Sequence, residues 1–155
     1  MITAAQIMTS PAVTIAPESG VEEIVRILSD RHISALPVCK PDGTLVGLVS
    51  EGDILRPFRE SARVRRDWWL GMIAEGEALS QPFLEYLRQD TRTASDVMVR
   101  HVVTADEHAT LPQLAELMSR HGVKRIPVMR GSTVVGIVSR SDMISALART
   151  PALLV

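Results

Sequence analysis

The chain has 155 residues, 46% of them hydrophobic and 23% charged, with a formal net charge of −1. Those are the proportions of a globular protein, and the near-neutral charge gives no electrostatic basis for binding nucleic acid or an anionic membrane. A single cysteine, Cys39, excludes an internal disulfide and a cysteine zinc site, and no apolar run reaches the roughly 18 residues of a membrane span.

The opening residues, Met1-Ile2-Thr3-Ala4-Ala5-Gln6, lack the basic and long apolar regions of a signal peptide, so the expected location is cytoplasmic. Val13 to Ile15 reads as a short extended segment. After Pro17-Glu18-Ser19, the apolar positions Val21, Ile24, Val25 and Leu28 fall at i, i+3, i+4 and i+7, which predicts a helix over 21–31. Ser19 and Glu22 have the spacing of a capping box at its start. Two β-rich stretches follow, Leu36 to Cys39 and Leu45 to Val49, flanking Pro41-Asp42-Gly43 as a hairpin. Pro37 is expected at the start of its strand. A second helix begins near Asp53.

The same series then returns. Val13-Thr14 recurs as Val103-Thr104 and Leu36-Pro37-Val38 as Ile126-Pro127-Val128, each 90 positions later. Val21, Ile24, Val25 and Leu28 recur as Leu111, Leu114, Ala115 and Met118, and Thr110 with Gln113 offers a second capping box. The strands of the second copy are expected at 126–129 and 134–138, the extended segment at 102–104 and the last helix near Asp142. After the hairpin turn the offset falls to 89, so Gly47-Leu48-Val49-Ser50-Glu51-Gly52-Asp53 matches Gly136-Ile137-Val138-Ser139-Arg140-Ser141-Asp142. A one-residue change at a turn is what a duplicated fold tolerates, and the duplication outweighs any single motif. The fold class expected is α+β: a tandem of β-α-β-β-α repeats packed on each other as a pseudo-twofold pair.

Between the copies lies a stretch that has no counterpart. It opens with Arg56, Arg59, Arg63, Arg65 and Arg66, then places Trp68 beside Trp69 and continues as helix-compatible sequence. Acidic residues interleave with the arginines, which argues against nucleic acid. Two tryptophans among five aromatics mark a candidate interface, so a homodimer through Trp68 and Trp69 is one reading and packing on the chain's own core the other. The domains are accordingly drawn as 1–56 for the first repeat, 57–93 for a helical insertion and 94–155 for the second repeat.

A strand delivering hydroxyls and a carboxylate to the mouth of a helix sets side-chain hydrogen-bonders beside free backbone N–H groups, the chemistry of a ribose-phosphate site. Ser and Asp are also ordinary helix caps. The paired G-h-h-S-x-x-D endings, where h is any hydrophobic residue, the h-P-V strands and the repeated element order resemble a CBS domain pair (cystathionine-β-synthase domains, a Bateman module). The resemblance is to the bacterial type found in CBS/BON proteins. It implies two clefts between the repeats for an adenosine-containing ligand, AMP, ADP, ATP or S-adenosylmethionine, and frequent dimerisation. Carried over by position, a first cleft would use Thr14, Ile33, Ser34, Ala35, Leu36, Gly136, Ser139, Ser141 and Asp142. A second would use Gly47, Ser50, Asp53, Thr104, Val123, Lys124, Arg125 and Ile126, with Gly52 where the first has Ser141. The aspartates would hold ribose hydroxyls, and the serines, Lys124 and Arg125 would meet phosphate.

Nothing in the sequence builds a catalytic centre: there is no nucleophile elbow or phosphate loop, and His32, His101, His108 and His121 lack metal-ligand spacing. The expected function is therefore regulatory and non-enzymatic, with no required cofactor and no metal. The alternative is a ligand-independent dimerisation scaffold.

Overall fold

A computed structural model describes residues 1–60, 90–150 and 152, with the backbone alone for 57–60. In chain order the elements are α1 (Ala4–Ile7), α2 (Val21–Arg31), β1 (Ala35–Cys39), β2 (Leu45–Ser50) and α3 (Glu51–Glu60). The second half gives α4 (Ala94–Val97), β3 (Ala105–Asp106), α5 (Leu111–His121), β4 (Arg125–Arg130), β5 (Thr133–Ser139) and α6 (Arg140–Arg149). Trp68 and Trp69 lie outside the described residues.

Each repeat forms its helices where the apolar spacing demands them. Val21, Ile24 and Leu28 are buried on α2, and Leu111, Leu114 and Met118 on α5. Ala115, expected on that inner stripe, is exposed. Both helices end on a left-handed residue, Gly122 after α5 and His32 after α2. Gln113 caps α5 as expected, its side-chain oxygen accepting from the Thr110 N–H at 2.9 Å. The Ser19 box does not form. Gly20 is the N-cap of α2, and Glu22 turns down the helix to pair with Arg26 at 2.9 Å.

The hairpins β1–β2 and β4–β5 are antiparallel, running from Ala35 opposite Ser50 and from Arg125 opposite Ser139. Each carries the same register shift, after Val38 and after Val128, so the one-residue difference lies in the turns beyond, between Cys39 and Leu45 and between Met129 and Val134. In the first repeat pairing falls at Ile15, the last residue of the expected extended segment, which bridges Val38. In the second it sits later than expected, at Ala105–Asp106 beside Val128 and Met129, because Ala105, like Ile15, is the side chain that enters the core. Pro37 is the third residue of β1 and fully buried, not the first. Its carbonyl accepts from Ile15 N–H at 3.0 Å, so the proline faces the short parallel bridge and removes no donor from the hairpin. Cys39 is half-buried, and burial pushes its thiol pKa up.

There are two hydrophobic cores, one per repeat, and each is completed by the other repeat's leading segment. Ala4 is buried with Leu111, Leu114, Ile126 and Val138, while Ala94 and Val97 are buried with Ile24, Leu36, Val38 and Val49. The crossing is held by backbone pairs: Thr9 exchanges hydrogen bonds with Ile137 (2.9 and 3.1 Å), and Val99 exchanges them with Leu48 (2.9 and 3.0 Å). A bridge between Thr44 and Thr133 joins the hairpin ends. The mixed α+β architecture of two packed repeats is as expected; the exchange of leading segments is not.

Candidate functional site

Two clefts open where the strand-to-helix turn of one repeat faces the helix-to-strand turn of the other. The first, of about 330 Å³, is bounded by His32, Ile33, Ser34 and Ala35 from repeat one. Opposite stand Ile137, Ser139, Arg140 and Ser141 of repeat two, with Lys124 and Arg125 on a further side. The second, of about 450 Å³, joins Ser50 to Asp53 with Val102, Val103 and the 122–125 turn. Both volumes lie within the roughly 300–1,000 Å³ of small-molecule sites.

The aspartates are built into the helix starts by reciprocal hydrogen bonds. Ser139 caps α6: its N–H and hydroxyl donate to Asp142 Oδ2 at 2.8 and 2.9 Å, and its Oγ accepts from the Asp142 N–H at 3.1 Å. Ser50 and Asp53 repeat this at 2.9, 3.0 and 3.4 Å. The helices therefore begin at Arg140 and Glu51, with the aspartate at the third position and the serine as cap. The copies differ at the other carboxylate oxygen. Asp53 is buried, and its Oδ1 accepts from Arg56 at 2.7 Å, whereas Asp142 Oδ1 has no partner among the described residues.

Of the residues expected in the first cleft, the structure brings together Ile33, Ser34, Ala35, Ser139 and Ser141. Asp142 stands behind Ser139, half-buried. Thr14 is exposed outside the cleft, and Leu36 is fully buried in the core. Gly136 is covered by the crossing segment: a Cβ there would stand 2.4 Å from Met8 Sδ and 2.9 Å from the Thr9 carbonyl oxygen. In the second cleft Ser50, Asp53, Val123, Lys124 and Arg125 are on the wall. Thr104 is exposed elsewhere, Ile126 is core, and Gly47 lies under Met98 and Val99 as Gly136 lies under Met8 and Thr9. Lys124 and Arg125, assigned by sequence to the second cleft, line both, and Arg125 Nε donates to Ser34 Oγ across the repeats.

Sequence reasoning passed over His32 and Arg140 in the first cleft and Glu51 and His101 in the second. The signal lay in the residues aligned by the duplication: Arg140 stands where the first copy has Glu51, and His32 where the second has Gly122. Among the described residues no group of three His, Cys, Asp or Glu could hold a metal ion, and no helix is long and apolar enough to cross a membrane.

Residues 4–60 and 94–149 match the family model of the CBS domain. The uncharacterized protein MJ1426 of Methanocaldococcus jannaschii is 32% identical over 149 residues, 91% of this chain and 88% of that one. Among solved structures, CBSX2 in complex with AMP has a TM-score of 0.71 at 21% identity, covering 97% of this chain and 99% of that one. The CBS domain pair of protein MJ0100, in complex with 5′-methylthioadenosine and S-adenosyl-L-methionine, also has a TM-score of 0.71, at 23% identity and with 96% and 98% covered. With its two matched repeats and their crossed cores, the chain belongs to the CBS-domain family as a CBS domain pair.

Proposed function

We propose that this protein is a regulatory, non-enzymatic module that binds an adenosine-containing ligand between its repeats. The observation that carries the reading is the first cleft. It sets Ile33, Ser34 and Ala35 of one repeat against Ser139 and Ser141 of the other, beside a helix start. An apolar wall suits a purine, and the serine hydroxyls with the Lys124, Arg125 and Arg140 side chains suit a ribose-phosphate, since the N–H groups of Ser139, Arg140 and Asp142 are already bonded within the chain. The AMP complex of CBSX2 and the S-adenosyl-L-methionine complex of MJ0100 support the ligand class through a shared fold. A ligand spanning two repeats regulates by favouring one arrangement of them over another, to the extent that its affinities for the two differ.

Isothermal titration with AMP, ATP and S-adenosylmethionine tests this directly. At least one of the three is expected to bind and to raise Tm; no heat and no shift with any of them at millimolar concentration would end the reading. The two aspartates should then separate. Asp142→Ala is expected to weaken AMP binding more than Asp53→Ala, because Asp142 keeps a carboxylate oxygen for a ligand and Asp53 gives both to Ser50 and Arg56. Both substitutions also remove the carboxylate half of a capping box, about 0.5–2 kcal/mol of stability, and Asp53→Ala removes the Arg56 pair as well. Equal losses of affinity, or the reverse order, would sink the ranking.

A second reading, a ligand-independent dimerisation scaffold, is favoured by a different feature. Between α5 and α6 an apolar groove of about 530 Å³ is lined by Ala115, Met118, Met143, Ile144 and Leu147, with Ile144 66% exposed. Under this reading the homodimer forms without ligand, and sedimentation of Ile144→Glu at micromolar protein returns a monomer.

A further inference from the structure

We infer that the two clefts sort their ligands by charge, with Arg140 and His32 making the first cleft the phosphate-bearing site and Glu51 turning phosphate away from the second. The adenosine reading supplies the identity of the ligand here, but its charge is argued from the linings alone.

Arg140, Lys124 and Arg125 line the first cleft, and among the described residues no carboxylate is on its wall, Asp142 standing behind Ser139. Among the described residues neither Lys124 nor Arg140 has an ion-pair partner, and Arg125 is bonded only to the neutral Ser34 hydroxyl. Three cations gathered with no ion-pair partner among the described residues repel one another, and an anion with more than one charge relieves them together. In the second cleft the same Lys124 and Arg125 share the wall with Glu51, while Asp53 is already paired with Arg56, so Glu51 is the carboxylate that sets this cleft apart.

Both residues peculiar to the first cleft occupy places that local structure disfavours. Arg140 is the first residue of α6, where the positive end of the helix dipole repels a cation; Glu51, first in α3, is the kind of residue that position favours. His32 holds a left-handed backbone, φ 51°, at the helix end where the other repeat has Gly122, φ 62°. Left-handed backbone strains any residue with a Cβ. A side chain kept twice against local preference, each time adding nitrogen donors to one cleft, is explained by what the cleft holds. The same comparison assigns the second cleft an uncharged or cationic nucleoside.

Titration calorimetry with three probes (adenosine, ADP and inorganic pyrophosphate) tests the inference on the wild type, Arg140→Glu, Glu51→Arg and His32→Gly. Arg140→Glu is expected to weaken ADP and pyrophosphate about tenfold or more, which is 1.4 kcal/mol or above. It should leave adenosine within about twofold and should not lower Tm, since the change suits the helix start. His32→Gly should weaken ADP about threefold, also without loss of Tm. Glu51→Arg should create a second ADP site. Arg140→Glu affinities for ADP and pyrophosphate within twofold of wild type, or an equal loss for adenosine, would overturn it, as would a wild type that binds neither anion. If pyrophosphate binds in an Arg140-dependent way while adenosine and ADP do not, the charge sorting stands and the adenosine reading falls.

Discussion

Leu36→Ala is expected to destabilise the fold by about 2–5 kcal/mol, the cost of emptying a packed leucine site. For a chain of this length that lowers Tm on the order of 10 °C. The residue is fully buried, in a cluster with Ile24, Val38, Val49 and Ile54 that Ala94 and Val97 close from the other repeat. It follows Ala35 on β1, but alternation along a strand turns successive side chains to opposite sides, so a neighbour of a cleft residue lies in the core. Ile126 is its counterpart, fully buried among Leu114, Val128 and Val138. Ile126→Val, removing one methylene, should cost only about 0.5–1.5 kcal/mol. Urea unfolding of both variants gives the comparison. A Leu36→Ala protein of wild-type stability that no longer binds AMP would return Leu36 to the binding site and remove it from the core.

Gly136→Ala is expected to cost about 1–3 kcal/mol by overpacking, although the change adds a single methyl group. That methyl would press on Met8 Sδ at 2.4 Å and on the Thr9 carbonyl oxygen at 2.9 Å. The methionine can swing aside. The carbonyl cannot, because Thr9 is fixed to Ile137 by two backbone bonds that hold the crossing segment on the second repeat. Adding Met8→Ala to the variant should therefore recover only part of the loss. Gly52→Ala is the control: its new methyl would meet nothing nearer than Ser50 Oγ at 3.7 Å, and alanine is the better helix former there. Thermal unfolding of the three proteins distinguishes them. A Gly136→Ala protein with wild-type Tm would show that the crossing strand moves away freely.

The helices and hairpins were legible because their signals are local. Apolar spacing placed α2 and α5, Gln113 caps α5 as its position indicates, and the paired G-h-h-S-x-x-D endings placed the strand-to-helix turns. Errors came where a neighbour decided the outcome. Ser19 lost the cap to Gly20, which stands where the second repeat has its cap Thr110 and which bridges Thr93 of that repeat. Gly47 and Gly136 carry the family pattern for closeness to backbone and a methionine, not for an open cleft wall. Leu36 and Ile126 were carried over as contacts because their neighbours line the clefts, and their own side chains turn inward. The crossing of α1 and α4 had a faint local trace. Gln6 and Asp96 accept from the N–H groups of Thr3 and Thr93, both at 2.9 Å, so each short helix carries a cap out of proportion to its four residues. The sequence held nothing to say which repeat each would join.

The crossing also sets an order of events during synthesis. Val99 reaches a partner, Leu48, that is already made, so the first repeat closes as soon as residues 94–99 leave the ribosome. Thr9 waits for Ile137, more than a hundred positions downstream. At ~5–20 residues per second that interval is roughly 6–25 s. Ile7 and Met8, which pack against the second core, stay uncovered until then. The segment that leads the first repeat is thus housed only with the second.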